Sequence, residues 1–181
     1  MASSTTSCLT FEEFERLPDQ PGKLELLQGE LIELPPAKLK HNRIAHRMHQ
    51  ALVAMLASAH ARGAATQLAE VFHEMGYRIG KRSWLQPDVS ISHAEQNADD
   101  YFIGSPALVV EIISEGKTAA QIDGKIEDYL AEGALEVWVL YPNRRHMWIY
   151  KPTGIAEQHA APFQSELLGD AIIDIAEFLR D

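Results

Sequence analysis

Cysteine is almost missing from this chain: Cys8 is the only one. One thiol cannot build an intrachain disulfide framework or a thiolate zinc site, and a reducing cytoplasm is the expected compartment. Long apolar runs are missing too. None approaches the roughly 20 residues that a membrane span needs, so no membrane partner is expected. The opening MASSTTSCLT has no basic stretch followed by an apolar core, and no secretory signal is expected there. Positive charge is scarce: 16 Lys and Arg stand against 26 Asp and Glu, a formal net charge of −10. That balance argues against a broad electrostatic footprint on nucleic acid. It leaves room for an enzyme whose acids bind divalent cations, because such a site is itself negative before the cation arrives. Arg43, Arg47, Lys81, Arg82, Arg144 and Arg145 can still act locally, and most of the acids are expected to form a solvated surface. Repeats and low-complexity linkers are lacking as well. With 181 residues, 46% of them hydrophobic, the chain suits one domain over residues 10–181 behind a disordered stretch 1–9.

What the chain does have is concentrated in residues 107–133, ALVVEIISEGKTAAQIDGKIEDYLAEG. Residues 107–113 are an apolar run of strand length, and Val109, Val110, Ile112 and Ile113 favour a strand buried on both faces. Glu111 stands in its middle, on the same face as Val109 and Ile113. A carboxylate desolvated there is costly unless it is paired, hydrogen-bonded or bound to a metal. The polar segment SEGK leads into a helix in which Ile122, Ile126, Tyr129 and Leu130 make an apolar stripe, with Gly133 at its C-terminal cap. Lys125 falls at the border of that stripe. A long lysine there can lay its stem on the core and carry its ammonium to a site beneath the helix. Gly124 weakens a helix interior by about 1 kcal/mol relative to alanine, which suggests that something approaches the helix closely at that point.

Upstream, Thr10-Phe11-Glu12-Glu13 has the form of a capping box opening a short helix that Pro18 ends. Residues 24–34, LELLQGELIEL, read as two short strands around Gln28-Gly29, interrupted by Glu25 and Glu30. A long helix is expected over residues 41–61, with Ile44, Met48, Leu52, Met55 and Leu56 as its apolar stripe. His41, His46, His49 and His60 decorate it as solvated or capping residues, and the His41–His46 spacing is poor for joint metal binding. Strands are expected over 71–77 and 84–92 around a Gly80-Lys81-Arg82-Ser83 turn, with Pro87 marking an edge strand or a bulge. A polar loop, 93–106, precedes the central strand and helix. Then follow a strand over 136–141, a Pro142-Asn143 turn, an antiparallel return over 147–151, a weaker strand over 167–175 and a short tail. The sum is a mixed α/β fold. Strands 136–141 and 147–150 can pair across a two-fold axis, so a homodimer is expected.

Three residues stand out chemically: Asp88 after a proline, Glu111 in the buried strand, and Lys125 on the helix. Two carboxylates at neighbouring strand positions suit Mg²⁺ or Mn²⁺, hard ions that take oxygen ligands and keep several waters. Such an ion can activate water and stabilise charge on a phosphate oxygen, while an ammonium orients or deprotonates the water or stabilises the developing charge. Each residue also has a plainer reading. Asp88 can cap a bulge, Glu111 and Lys125 can form a structural salt bridge, and Lys125 can be a surface lysine, with Lys117 the rival partner. Glu25 can be an exposed hairpin acid, and His41 purely structural.

Pro87-Asp88 followed by Glu111 in VVEIIS resembles the motif of the PD-(D/E)XK, restriction-endonuclease-like superfamily. More closely, LELLQGELIE, QPDVSI, PALVVEIIS, IDGKIEDYLAEGALEVWVLYP and MWIYKP resemble, in order, the blocks of the Uma-two family of endonucleases, formerly a domain of unknown function. The resemblance implies a restriction-endonuclease-like mixed sheet flanked by helices, with an N-terminal hairpin and a long helix. It implies that Asp88 and Glu111 bind Mg²⁺ or Mn²⁺, with the Ile112 carbonyl as a third ligand. The superfamily's usual lysine position is Ile113 here, and the resemblance places the lysine at Lys125, positioning the attacking water. Glu25 would add a carboxylate near the metal, and His41 would line a substrate cleft. DNA is the implied partner and phosphodiester hydrolysis the implied activity; the alternative is an inactive nuclease fold used for binding or assembly.

Overall fold

The computed structural model describes residues 8–18, 22–114 and 117–180. Most of the expected disordered stretch, residues 1–7, lies outside them, and the Leu9 N–H donates to the Gly29 carbonyl at 2.8 Å. Helix α1 (Phe11–Glu15) opens with the capping box, Thr10 and Glu13 each bonding the other's backbone N–H. Strands β1 (Lys23–Leu27) and β2 (Glu30–Leu34) form the hairpin. Its turn residues Gln28 and Gly29 have φ of 53° and 87°, the left-handed pair that matches strand twist in a two-residue turn. Helix α2 (Leu39–Ala61) begins slightly earlier than expected and buries Ile44, Met48, Leu52 and Leu56.

The next segment departs from the expectation of two unbroken strands. Strands β3 (Leu68–His73), β4 (Tyr77–Ile79), β5 (Ser83–Leu85) and β6 (Val89–His93) are the two arms of one long hairpin, bent at its middle. The β3/β6 half joins one sheet and the β4/β5 half another. At the bend Glu74 has φ of 50°, Pro87 has no N–H to offer a ladder, and the Glu74 N–H donates to the Asp88 carbonyl at 3.3 Å. Pro87 thus marks a passage between sheets, not an edge strand or a bulge.

The polar loop carries a short strand β7 (Phe102–Ile103), followed by β8 (Leu108–Ile112) and α3 (Ala119–Ala131), the latter capped by Thr118 and Gln121. Strands β9 (Glu136–Tyr141) and β10 (His146–Tyr150) form the expected hairpin, and β11 (Ala156–His159) adds to its outer edge. Both strands of the hairpin therefore have neighbours on each side, and edge-to-edge pairing of a second copy there is closed. The expected strand over 167–175 is instead a 3₁₀ turn and a short strand β13 (Ala171–Ile173), paired with β12 (Phe163–Ser165). Gly169 and Asp170, both at φ of 63°, interrupt it. Helix α4 (Ile175–Phe178) follows.

Among the described residues the main sheet runs β11-β10-β9-β8-β6-β3, with β8 and β9 parallel and its other pairs antiparallel. Side-chain alternation buries both of its faces. Leu108, Val110, Ile112, Trp138 and Leu140 pack with the apolar stripe of α2. Val109, Val137 and Val139 pack with Ile126 and Tyr129 of α3 and with Leu27, Tyr77 and Leu85 of the second sheet, β2-β1-β5-β4-β7. Glu111 belongs to this second face. The fold is the mixed α/β arrangement expected.

Gly124 has no steric need to be glycine. A Cβ there would meet Leu27 Cδ2 at 3.5 Å and Gln28 Nε2 at 3.7 Å, ordinary van der Waals contacts. Gly124→Ala is expected to raise stability in urea unfolding by about 0.5–1 kcal/mol. A loss of stability would mean that helix and hairpin are closer than these distances.

Candidate active site

Antiparallel register brings the two acids together. Val89 pairs with Val110 across β6 and β8, so one further step sets Asp88 opposite Glu111. Asp88 is 6% exposed and Glu111 4%. The Ile112 N–H donates to Asp88 Oδ2 at 2.6 Å, and His41, in the first turn of α2, donates from Nε2 to Asp88 Oδ1 at 3.0 Å. Glu111 Oε1 accepts from Lys125 Nζ at 2.9 Å and from the Tyr129 hydroxyl at 3.3 Å, while Oε2 accepts from Lys117 Nζ at 2.8 Å.

The hairpin supplies a third acid. Glu25 on β1 is fully buried; its Oε1 accepts the Gln86 N–H at 3.0 Å. Its Oε2 lies 2.7 Å from Lys125 Nζ, an ion pair that lacks hydrogen-bond alignment and leaves that oxygen otherwise unpartnered. Lys125 is thus clamped between Glu25 and Glu111, and it is buried (5% exposed) and not at a solvated border. Asp128, one turn further along α3, fixes the clamp by accepting from Gln28 Nε2 at 3.0 Å and from the Ser83 hydroxyl.

Electrostatics keep the acids ionised. Burial pushes Asp88 up, but the hydrogen bond from His41, the Lys117 and His41 charges and the Ile112 N–H hold it at about 2. Burial likewise raises Glu111, and the Lys117 and Lys125 ammoniums outweigh this and lower it. For Lys125 burial favours the neutral form, yet Glu111 and Glu25 raise it above the ordinary lysine value. Clamped in this way, Lys125 is a donor of hydrogen bonds and positive charge, not an acceptor of protons.

Among the described residues, no group of three or more His, Cys, Asp and Glu side chains forms a cage that could hold a metal ion. The donor set nevertheless fits a hard divalent ion that keeps several waters: two ionised carboxylates and a backbone oxygen. A strand residue's N–H and C=O leave on the same edge, so the Ile112 carbonyl also faces the Asp88 side. The five sequence-predicted side chains form two sets, His41 with Asp88 and Glu25 with Lys125 and Glu111, which meet where Asp88 accepts the N–H of Ile112, the residue after Glu111. Lys117 and Tyr129 are additions. Lys117 was visible only as a rival cation in SEGK, while the hydroxyl of Tyr129 was hidden in an apolar stripe although it stands one turn beyond Lys125.

The lowered carboxyl of Asp88 gives a pH signature. Its ordinary value is 3.8 and its folded value about 2. The stabilisation is therefore complete above about pH 4 and fades as pH falls towards 2, amounting to roughly 2 kcal/mol. Asp88→Asn is expected to lose stability more gently than the parent over that interval in acid-titrated urea melts. Equal acid sensitivity in both would contradict this environment for Asp88.

The Uma2 family model, described as "Putative restriction endonuclease", matches residues 11–176. Among solved structures, a crystal structure from Anabaena variabilis described as "a putative nuclease belonging to DUF820" aligns with a TM-score of 0.75 at 19% identity, covering 94% of this chain and 97% of that one. At that identity the likeness speaks to the fold. No curated protein matches the chain. A family match that begins at the first residue of α1 and reaches into α4 settles the kinship: this chain belongs to the Uma2 family.

Proposed function

We propose that the protein is a metal-dependent endonuclease that hydrolyses phosphodiester bonds in DNA. The observation that carries this reading is the convergence of Asp88, Glu111 and Lys125 on one buried cluster in a chain of the Uma2 family. Asp88, Glu111 and the Ile112 carbonyl would hold Mg²⁺ or Mn²⁺, which when bound supplies Lewis-acid charge at the scissile phosphate. Lys125, kept protonated by Glu25 and Glu111, positions the attacking water and places positive charge beside the phosphate. Glu25 holds that ammonium in place through its ion pair, and Tyr129 fixes Glu111 from below.

Access for a charged backbone lies on the α2 side. Lys38, Lys40, His41, Ile112 and Asn143 line an open cavity beside Asp88, and Lys40 Nζ donates to Asn143 Oδ1 at 3.3 Å. In a chain of net charge −10 these lysines are a local basic rim next to the acids, and His41 lines the cleft as well as touching Asp88. We read residues 10–181 as one domain. No helix among the described residues is long and apolar enough to cross a membrane, and a cytoplasmic site of action suits a DNA substrate and the single cysteine. A homodimer would have to use a surface other than the enclosed β9/β10 hairpin; sedimentation velocity reports it.

One observation favours a second reading, a non-cutting module. Every oxygen of Asp88 and Glu111 already has a protein partner. Mn²⁺ binding that depends on both carboxylates counts against that reading.

Two assays test the endonuclease. Plasmid, linear, branched and single-stranded DNA are incubated with the protein and Mg²⁺ or Mn²⁺. Asp88→Asn, Glu111→Gln and Lys125→Met are each expected to slow cutting at least about a hundredfold; no cut substrate, or variants as fast as the parent, would refute it. In an Asp88→Asn background, Lys40→Ala is expected to lower the slope of log affinity against log salt by about 1 in duplex-binding anisotropy. An unchanged slope would remove Lys40 from the DNA path.

A further inference from the structure

We infer that Lys117 is a resident counter-cation that occupies the side of Glu111 a divalent ion would take, and that it thereby sets the affinity of the site for metal. The inference rests on the metal-site reading above and concerns a residue to which that reading gives no part.

The two ammoniums on Glu111 are not equivalent. Lys125 lies within a helix, 5% exposed, and is held a second time by Glu25 at 2.7 Å. Lys117 stands just ahead of the N-cap Thr118, its side chain 16% exposed, with Glu111 as its one ion-pair partner among the described residues. A cation at a helix N-terminus is opposed by the helix dipole, so the helix gives Lys117 no reason to be there. The charge of Glu111, reinforced by Asp88, does.

The oxygens are divided in the same way. Oε1 of Glu111 is occupied from beneath by Lys125 and Tyr129, while Oε2 is met, among the described residues, by Lys117. An ion shared with Asp88 therefore gains an oxygen of Glu111 most readily by replacing Lys117. Exchange of the Lys117 ammonium for a divalent ion adds one positive charge beside the three carboxylates Glu25, Asp88 and Glu111. The departing ammonium is tethered beside the site, and its loss from Oε2 is the work the incoming ion must do.

Calorimetric titration of the full chain with Mn²⁺ at fixed pH and ionic strength tests this directly. Lys117→Met and Lys117→Gln are expected to bind Mn²⁺ at least about tenfold more tightly than the parent, and Glu111→Gln added to either is expected to abolish the gain. Circular dichroism checks that each variant is folded; the glutamine variant keeps a hydrogen-bond donor for Glu111 if methionine proves too disruptive. In chelator, Lys117→Met should melt below the parent, and Mn²⁺ should raise its melting temperature by more than it raises that of the parent. Binding that is equal or weaker in both variants, or absent from all, overturns the inference. The two proposals fail separately. Tighter binding without any DNA cutting would sink the endonuclease and leave the role of Lys117 standing. Asp88-dependent cutting with unchanged Mn²⁺ affinity would do the reverse.

Discussion

A carboxylate near the C-terminal end of a strand buried on both faces is the constraint around which this molecule is built. Taking an ion out of water costs several kcal/mol even after relaxation, and Glu111 sits at 4% exposure between Val109 and Ile113. The surrounding elements answer that cost. Helix α3 brings Lys125 and Tyr129 over the strand, the N-terminal hairpin brings Glu25 to hold Lys125, and the segment before α3 brings Lys117. An arrangement of this kind gives little net stability compared with an apolar core. Its place at the focus of three elements supports the proposed metal site.

The bent hairpin completes it. One pair of arms serves two sheets, and the bend falls at Glu74 and at Pro87-Asp88. Because Pro87 cannot donate to a ladder, the chain leaves the second sheet there, and Asp88 is delivered to the end of β6 with its carboxylate over the Ile112 N–H. The same bend lets the Gln86 N–H reach Glu25. Sheet geometry thus determines which acids share a site, and local propensity does not.

Several of these features could be read from residues alone because they depend on short-range rules. The Gln28-Gly29 turn, the Thr10 and Glu13 capping box, the apolar stripe of α2 and the strand around Glu111 all follow from spacing and turn chemistry. Asp88, Glu111 and Lys125 were conspicuous because polar groups in apolar or proline-bounded settings need a reason. Others were out of reach. A strand of steady alternation does not announce that it will switch sheets at Glu74 or Pro87, since that depends on which neighbours the halves find. Strands β11 and β12 are short and carry no regular alternation, and their pairing is tertiary. Lys117 stands in the sequence as a rival to Lys125 for Glu111, and the fold shows that both ammoniums reach that carboxylate.

Crystals soaked in Mn²⁺ and measured at the manganese absorption edge decide whether the cluster is a metal centre. An anomalous peak is expected within about 2.3 Å of carboxylate oxygens of both Asp88 and Glu111 and of the Ile112 carbonyl, with Lys125 still beside Glu25. A peak elsewhere, or no peak with Lys117 still seated on Glu111 at saturating Mn²⁺, would contradict a metal centre at this cluster.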